Sequence, residues 1–466
     1  MKQRLVLAMA AALLLSPVAA ARADTFPVTS TADSGQGSLR EAIADANAGA
    51  DPDLIDATGV VGTINLQSEL PRLSEDVEIG GPGASALTVR RDGGGDYRIF
   101  SVDFGVAAEL SGLTAANGLD DTQGGGIGNF GGMLTVANSV VRDNTVTGSQ
   151  GGGGLFTRNG GSLTVANSTV AENDATEDGG GIRATFDSDL TVVNSTVTGN
   201  TAAGGGGGIA SAQQGSDVTI LNSTVAANSA PEGANLRLVA FDDTKVLRST
   251  ILSDPVGGGE NCVFFDDTPV SQGHNLADDA SCGLDVDTDL PNTDPSVGPL
   301  VDNGGPTPTM ALAPGSPAID KGVSGDVSAD QRGEPRPSDF GEIANAPGGD
   351  GADIGAFELQ PPVEPPPSNE FSFGKVKKNK RKGTAKLTVE VPGPGELALA
   401  RTKRVKPAAE STNAAEKVRL MIRSRGKARK RLDARGKARV RARVTYTPTG
   451  GEPNTKAKRI RLRKRG

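Results

Sequence analysis

Acidic side chains are the first candidates for chemistry. Asp120, Asp121, Asp174, Glu177 and Asp178 are the candidates in a chain of 466 residues with one histidine, no tryptophan and 64 glycines. Carboxylate pairs that cleave glycosidic bonds stand ~5–9.5 Å apart, so a catalytic face would need acids recurring in step. Asp120 and Asp121 precede one glycine cluster and Glu177 and Asp178 precede another, but the cluster between them is preceded by Ser149 and Gln150. The acids do not recur, and no catalytic residue is assigned. His274, in "SQGHNL", has no evident partner and reads as a surface histidine. Asp285, Asp287 and Asp289 have calcium-loop spacing, yet Leu290 and Ser296 occupy the sixth and twelfth positions, where such a loop needs Gly and Glu. A solvated acidic loop is expected there, with no metal site.

"GIGNFG" at 126–131 has the glycine spacing of a dinucleotide loop through Gly126, Gly128 and Gly131. That loop works where a strand feeds a helix, and here the strand-like "MLTVANSVV" follows, so no cofactor is expected. The "NST" triplets at Asn167, Asn194 and Asn222 recur with the chain's repeat and are not read as glycosylation sites. Cys262 and Cys282 are the only cysteines; in an oxidising compartment they are expected to form one disulfide.

Such a compartment is implied by residues 1–23. Lys2 and Arg4 precede the apolar run Leu5–Leu15, and "ARA" at 21–23 fits a signal-peptide site cleaved between Ala23 and Asp24. The run is shorter than the ~20 residues that span a bilayer. The expectation is an exported protein, secreted or surface-associated, with no transmembrane segment.

The elements that position these residues come from a repeat. "LTVANSVVRDN" from 134 returns as "LTVANSTVAEN" from 163, "LTVVNSTVTGN" from 190 and "VTILNSTVAAN" from 218, a period of 27–29 residues. Glycine clusters between the phrases end in Ile127, Leu155, Ile182 and Ile209. A fixed period means a unit that buries its apolar side only against its neighbours. Leu163 and Val165 flank Thr164 with strand parity, and no helix-length stripe intervenes. The fold class is therefore all-β, a parallel β-helix solenoid. Asn138, Asn167, Asn194 and Asn222 continue the inward parity and are expected to form an internal amide ladder; a second series follows at Asn144, Asn173, Asn200 and Asn228. Weaker coils are read near 70 and 110, with "LRSTIL" near 247 as the last. Seven to nine coils would rise roughly 35–45 Å.

An open solenoid end exposes strand edges. "GSLREAIADANAG" supplies an N-terminal capping helix: Ser38 and Glu41 make a capping box, Leu39, Ala42, Ile43 and Ala46 one stripe, and Gly49 the stop.

"GSLREAIADAN" with "GTINLQSELPRLSEDVEIGGPG" resembles the opening of CSLREA-domain proteins, exported bacterial right-handed β-helices; Gly37 stands where that family has its cysteine. "TDPSVGPLVDNGGPTPTMALAPGSPAIDKG", "DQRGEPRP" and "ADIGAFE" resemble a choice-of-anchor Q region, which implies a segment closing the helix, although no sorting motif follows. The expected domains are a signal peptide at 1–23, the capped β-helix at 24–289, the closing region at 290–359, a proline linker at 360–369 and a basic β-rich domain at 370–466.

That last domain resembles the small β-sandwich tails of exported proteins. From 369 to 466 there are 31 Lys and Arg against seven Asp and Glu, a net of +24; the chain totals −8, leaving −32 on residues 1–368. Val440, Ala442, Val444 and Tyr446 share one strand face and Arg439, Arg441 and Arg443 the other. An exported cation meets anionic envelope polymers first, and those are the expected partners. Nucleic acid is not, because export removes the chain from it and only Phe371, Phe373 and Tyr446 could stack bases. The reading is a non-catalytic surface or adhesion protein, with a polysaccharide lyase or hydrolase as the alternative.

Overall fold

Like residues stack on like. In the computed structural model Leu134, Leu163, Leu190 and Val218 are successive cross-strand partners, as are Val136, Val165, Val192 and Ile220, all at most 2% exposed. The model describes residues 24–49, 51–213, 215–239, 244–265, 269–361 and 366–465. It divides into two units at Pro361 and Pro362. Residues 1–23, where a signal peptide ending at Ala23 is expected, and part of the expected proline linker lie outside the described residues.

Each coil of the first unit contributes one strand to each of up to four parallel sheets. Among the described residues, ten strands stack from Thr25–Pro27 to Val270–Ser271, nine from Gly62–Leu66 to Leu276–Ala277, and seven from Phe100–Val102 to Cys262–Phe264. A ribbon of four two-residue strands runs from Leu119–Asp120 to Thr201–Ala202. The solenoid has about nine turns. "LRSTIL" is not its last coil: Cys262–Phe264, Val270–Ser271 and Leu276–Ala277 add another, held by the Cys262–Cys282 disulfide.

The asparagine assignment needs correction. Asn138, Asn167, Asn194 and Asn222 do occupy one corner of successive coils, directly after partnered strand residues. One link of the expected ladder forms, the Asn194 amide donating to Oδ1 of Asn167 at 2.7 Å, but the four do not make a continuous internal file. Their φ values of 46–51° break the strand alternation, so the side chains turn outward and Asn138 is exposed. The next residue turns inward instead: the hydroxyls of Ser168, Ser195 and Ser223 accept the N–H of Ser139, Ser168 and Ser195.

The buried amide chain belongs to the second series. Nδ2 of Asn144 donates to Oδ1 of Asn173 at 2.9 Å, and the links continue to Asn200 and Asn228 at 2.9 Å, Asn235 at 2.8 Å and Asn261 at 2.6 Å, ending on Asp278. Each receiving Oδ1 from Asn173 to Asn228 also takes a backbone N–H. The glycine clusters follow from this: a Cβ on Gly126, Gly154, Gly181 or Gly208 would come within 2.8–3.0 Å of the amides of Asn144, Asn173, Asn200 and Asn228.

At the N-terminal end, helix Leu39–Ala46 buries Leu39, Ala42, Ile43 and Ala46. Ser38 accepts from the Glu41 N–H, while the Glu41 carboxylate reaches back to the Gly37 N–H at 2.6 Å. The helix ends at Asn47, two residues before the expected glycine. Gly37 has φ +72°, and a Cβ there would lie 2.2 Å from Thr29 Oγ1, so a side chain at this position would be strained and would displace the Thr29 hydroxyl.

Residues 290–361 run back along the flank of the solenoid. Thr307 donates to the carbonyl of Asn167, and Gln331 to that of Ser168. The Asn194 amide donates to Ala329, the Asn222 amide to Val323, and Gly355 N–H to Ser249. This segment buries Asn194 and Asn222, at 3% and 0% exposure. It also meets His274, whose Nδ1 is 2.8 Å from the carbonyl of Lys321, so that the histidine is buried rather than on the surface. Within it Arg336 pairs with Glu358 at 2.9 Å, both side chains fully buried. Beside them Asp353 accepts the N–H groups of Asp320 and Leu359. Burial first, then the neighbouring Glu358, pushes the Asp353 carboxyl up to about 7.

The second unit has a three-stranded antiparallel sheet, Ser372–Asn379, Thr384–Val391 and Glu416–Ile422, and a four-stranded one in the order Ala408–Thr412, Gly395–Leu399, Lys437–Pro448 and Asn454–Arg463. Both contribute to one core, including Leu387, Leu420, Val444 and Tyr446. A helix at Gly426–Arg435 was not foreseen from the sequence: only Ala428 and Leu432 are buried, too few for a stripe.

Two outcomes test these features. Asn200→Ala would orphan the Asn173 N–H, leave its amide only the Val141 carbonyl and lower stability by on the order of 3 kcal/mol, whereas Asn138→Ala at the exposed corner costs under about 1 kcal/mol; denaturant unfolding of both variants checks the order. The Asp353 carboxyl is raised from 3.8 to about 7, so between those values the folded chain keeps a proton that the unfolded chain has lost. That contribution is full below the unfolded value and disappears as pH rises to about 7. Stability is therefore expected to fall across that window, and Asp353→Asn to flatten the profile of unfolding midpoint against pH.

Candidate polyanion-binding face

Strand parity divides the second unit's four-stranded sheet into an apolar and a cationic side. Along Lys437–Pro448, Ala438, Val440, Ala442 and Val444 are buried while Lys437, Arg439, Arg441 and Arg443 are exposed. Along Asn454–Arg463, Ile460 and Leu462 are buried and Arg459, Arg461 and Arg463 exposed. Register then sets charge against like charge: Lys437 opposes Arg463, Arg439 opposes Arg461 and Arg441 opposes Arg459. Like charges directly opposite are destabilising.

No acid relieves them. Among the described residues these seven cations form no ion pair, and three of the unit's acids are engaged elsewhere: Glu370 with Lys456, Glu390 with Lys417, and Asp433 with both Arg429 and Lys464. Hydrogen bonds from Lys464 and Arg429 hold the Asp433 carboxyl below its ordinary value. On the cationic face Glu396 stands at the far end, opposite Thr447.

The other sheet carries a second cationic surface. Lys377 opposes Lys386, and with Lys378, Lys380, Arg381 and Lys382 they line a concavity of about 770 Å³. Two lysines of inward parity work differently. Lys456 and Lys458 donate to the carbonyls of Phe371 and Phe373, their ammonium groups 5.3 and 5.7 Å from those rings, and tie one sheet to the other. Arg439, Arg441 and Arg443 were visible as one face in the sequence. Their opposition to Arg459 and Arg461 depends on hairpin register, which the sequence pattern leaves open.

Of the five acids weighed for catalysis, Asp120 and Asp178 hold structural bonds. Asp120 accepts from Arg98 at 2.5 Å and from the N–H groups of Thr122 and Gln123. Asp178 accepts from Arg237 at 3.0 Å and from Gly205 N–H. Asp121, Asp174 and Glu177 are exposed. Asp289 takes bonds from Ser271 and from Asn275 N–H and amide, closing the last coil, with Asp285 and Asp287 exposed. No metal-ligating cluster of His, Cys, Asp or Glu occurs among the described residues. "GIGNFG" carries the strand Ile127–Asn129, without a following helix. Cys262 and Cys282 are bonded to each other, their Cα atoms 4.9 Å apart.

Residues 104–275 match the family model of the right-handed β-helix region. No curated protein matches the chain.

Replacing Arg441 with Thr removes one opposed pair. It is expected to raise stability at low salt by roughly 0.2–1 kcal/mol and to lose that advantage at high salt, where exposed charges are screened; unfolding midpoints of both proteins at two ionic strengths check the sign.

Proposed function

We propose that this right-handed β-helix protein is exported and works without catalysis at the cell surface or outside it, its basic C-terminal unit holding anionic envelope polymers. The observation that carries the reading is the cross-strand opposition of Lys437, Arg439 and Arg441 to Arg463, Arg461 and Arg459 with no acid between them. An isolated fold gains nothing from that arrangement, and a bound polyanion turns the repulsion into attraction. Six of the seven cations are arginine, which grips phosphate and carboxylate with two parallel hydrogen bonds. The disulfide fits an oxidising compartment. No helix among the described residues is long and apolar enough to cross a membrane.

Polysaccharide cleavage on the β-helix is disfavoured because Asp120 and Asp178, its best-placed acids, are each paired with arginine. Retention on purified envelope polymer should fall steeply as salt rises from about 50 to 500 mM, since each contact releases a counterion. It should also collapse in the full chain carrying Arg439, Arg441, Arg459 and Arg461 all changed to Thr. Retention indifferent to salt and to these four changes would contradict the reading, as would release of glycan fragments by the wild-type chain.

A further inference from the structure

Three guanidinium groups converge on one aromatic ring of the solenoid. The central carbons of Arg72, Arg98 and Arg158 lie 5.0, 4.9 and 5.1 Å from the centre of Phe130, within reach of the ring's negative face. Two of the three have an acid: Arg72 pairs with Asp103 and Arg98 with Asp120, each at 2.5 Å. Arg158 has none among the described residues. Its hydrogen bond runs from Nη1 to Oε1 of Gln123 at 3.2 Å. Gln123 is buried and its N–H is held by Asp120, so the carboxylate that fixes Arg98 also fixes the turn that aims Arg158.

The Nε atoms of Arg98 and Arg158 are buried and have no partner, and Arg98 as a whole is 7% exposed. Burial first, then the charges of Arg98 and Arg72, pushes the pKa of Arg158 below its usual value. Covering Phe130 alone would need only apolar side chains. Three like charges around it leave two buried donors and one positive charge unanswered, and an unpaired buried donor is costly. One coil earlier Phe104 is 77% exposed. Its ring lies against Gly131, where a Cβ would come within 2.4 Å of Cδ2.

We propose that Arg158 and Arg98 form an oxoanion site that takes one carboxylate of an acidic saccharide, with Phe104 as the apolar face against which the sugar ring lies. The site belongs to the β-helix unit and does not rest on the polymer-holding role of the C-terminal sheet.

The test is calorimetric titration with a uronic-acid trisaccharide and, separately, with sulfate at matched ionic strength. The full chain is used with the four C-terminal arginines changed to Thr, so that the cationic sheet does not compete. Arg158→Gln should weaken both probes at least tenfold, with partial recovery in Arg158→Lys. Phe104→Ala should weaken the trisaccharide and leave sulfate unchanged. Should Arg158→Gln fail to fold, Gln123→Ala releases Arg158 without removing its charge and should weaken both probes. Failure of the parent chain to bind either probe, or unchanged binding in Arg158→Gln or its Gln123→Ala substitute, would overturn the site. Unchanged trisaccharide binding in Phe104→Ala would overturn the saccharide assignment.

Discussion

A buried file of side-chain amides from Asn144 to Asn261 governs the first unit. Each amide must donate to the coil above and accept from the coil below, since a buried amide without partners costs more than the bond itself contributes. That requirement spaces Asn144, Asn173, Asn200 and Asn228 one coil apart, while Asn235, seven residues beyond Asn228, relays the file to Asn261. It also excludes a side chain from Gly126, Gly154, Gly181 and Gly208, which face the amides across the coil. Repeated glycine and repeated asparagine are therefore two sides of one contact. The serine file from Ser139 to Ser223 does the same at the next corner, and the apolar stacks of leucine and valine fill the space between.

Much of this was legible in the sequence. The period, the strand parity of Leu163 and Val165 and the capping helix could all be read because each follows from a local alternation or a short-range hydrogen bond. The ladder was placed on the wrong asparagines for a specific reason. Parity counted through Asn167 assumes extended backbone, and at φ 50° the chain has already left it, moving the inward position to Ser168. Nothing local marks Asn173 as the buried one. Its partners, Asn144 and Asn200, are 29 and 27 residues away. The helix at Gly426–Arg435 escaped notice because two buried side chains make no periodic signal, and the convergence of Arg72, Arg98 and Arg158 on Phe130 joins residues from separate coils.

The two units solve electrostatics in opposite ways. In the solenoid, acids are distributed as turn caps and arginine partners, as with Asp120 and Asp178. In the C-terminal unit the cations outnumber any available acids, and hairpin register lines them up against one another. A small domain can sustain that repulsion because Val440, Val444, Tyr446 and Leu462 pack beneath it and because lysines at the sheet edge are drawn into hydrogen bonds with Phe371 and Phe373. Surface charge there is an expense met by the core.

The flanking segment of residues 290–361 has a consequence for how this solenoid can evolve. It touches the coils of Asn167, Asn194, Asn222 and Ser249 at separate points along its length. Solenoids ordinarily lengthen by duplicating a unit, because each unit contacts only its neighbours. Here one inserted coil would displace every later docking point by ~4.8 Å, leaving Asn222 and Ser249 facing the wrong residues. The segment thus acts as a ruler, and the number of coils is inherited with it.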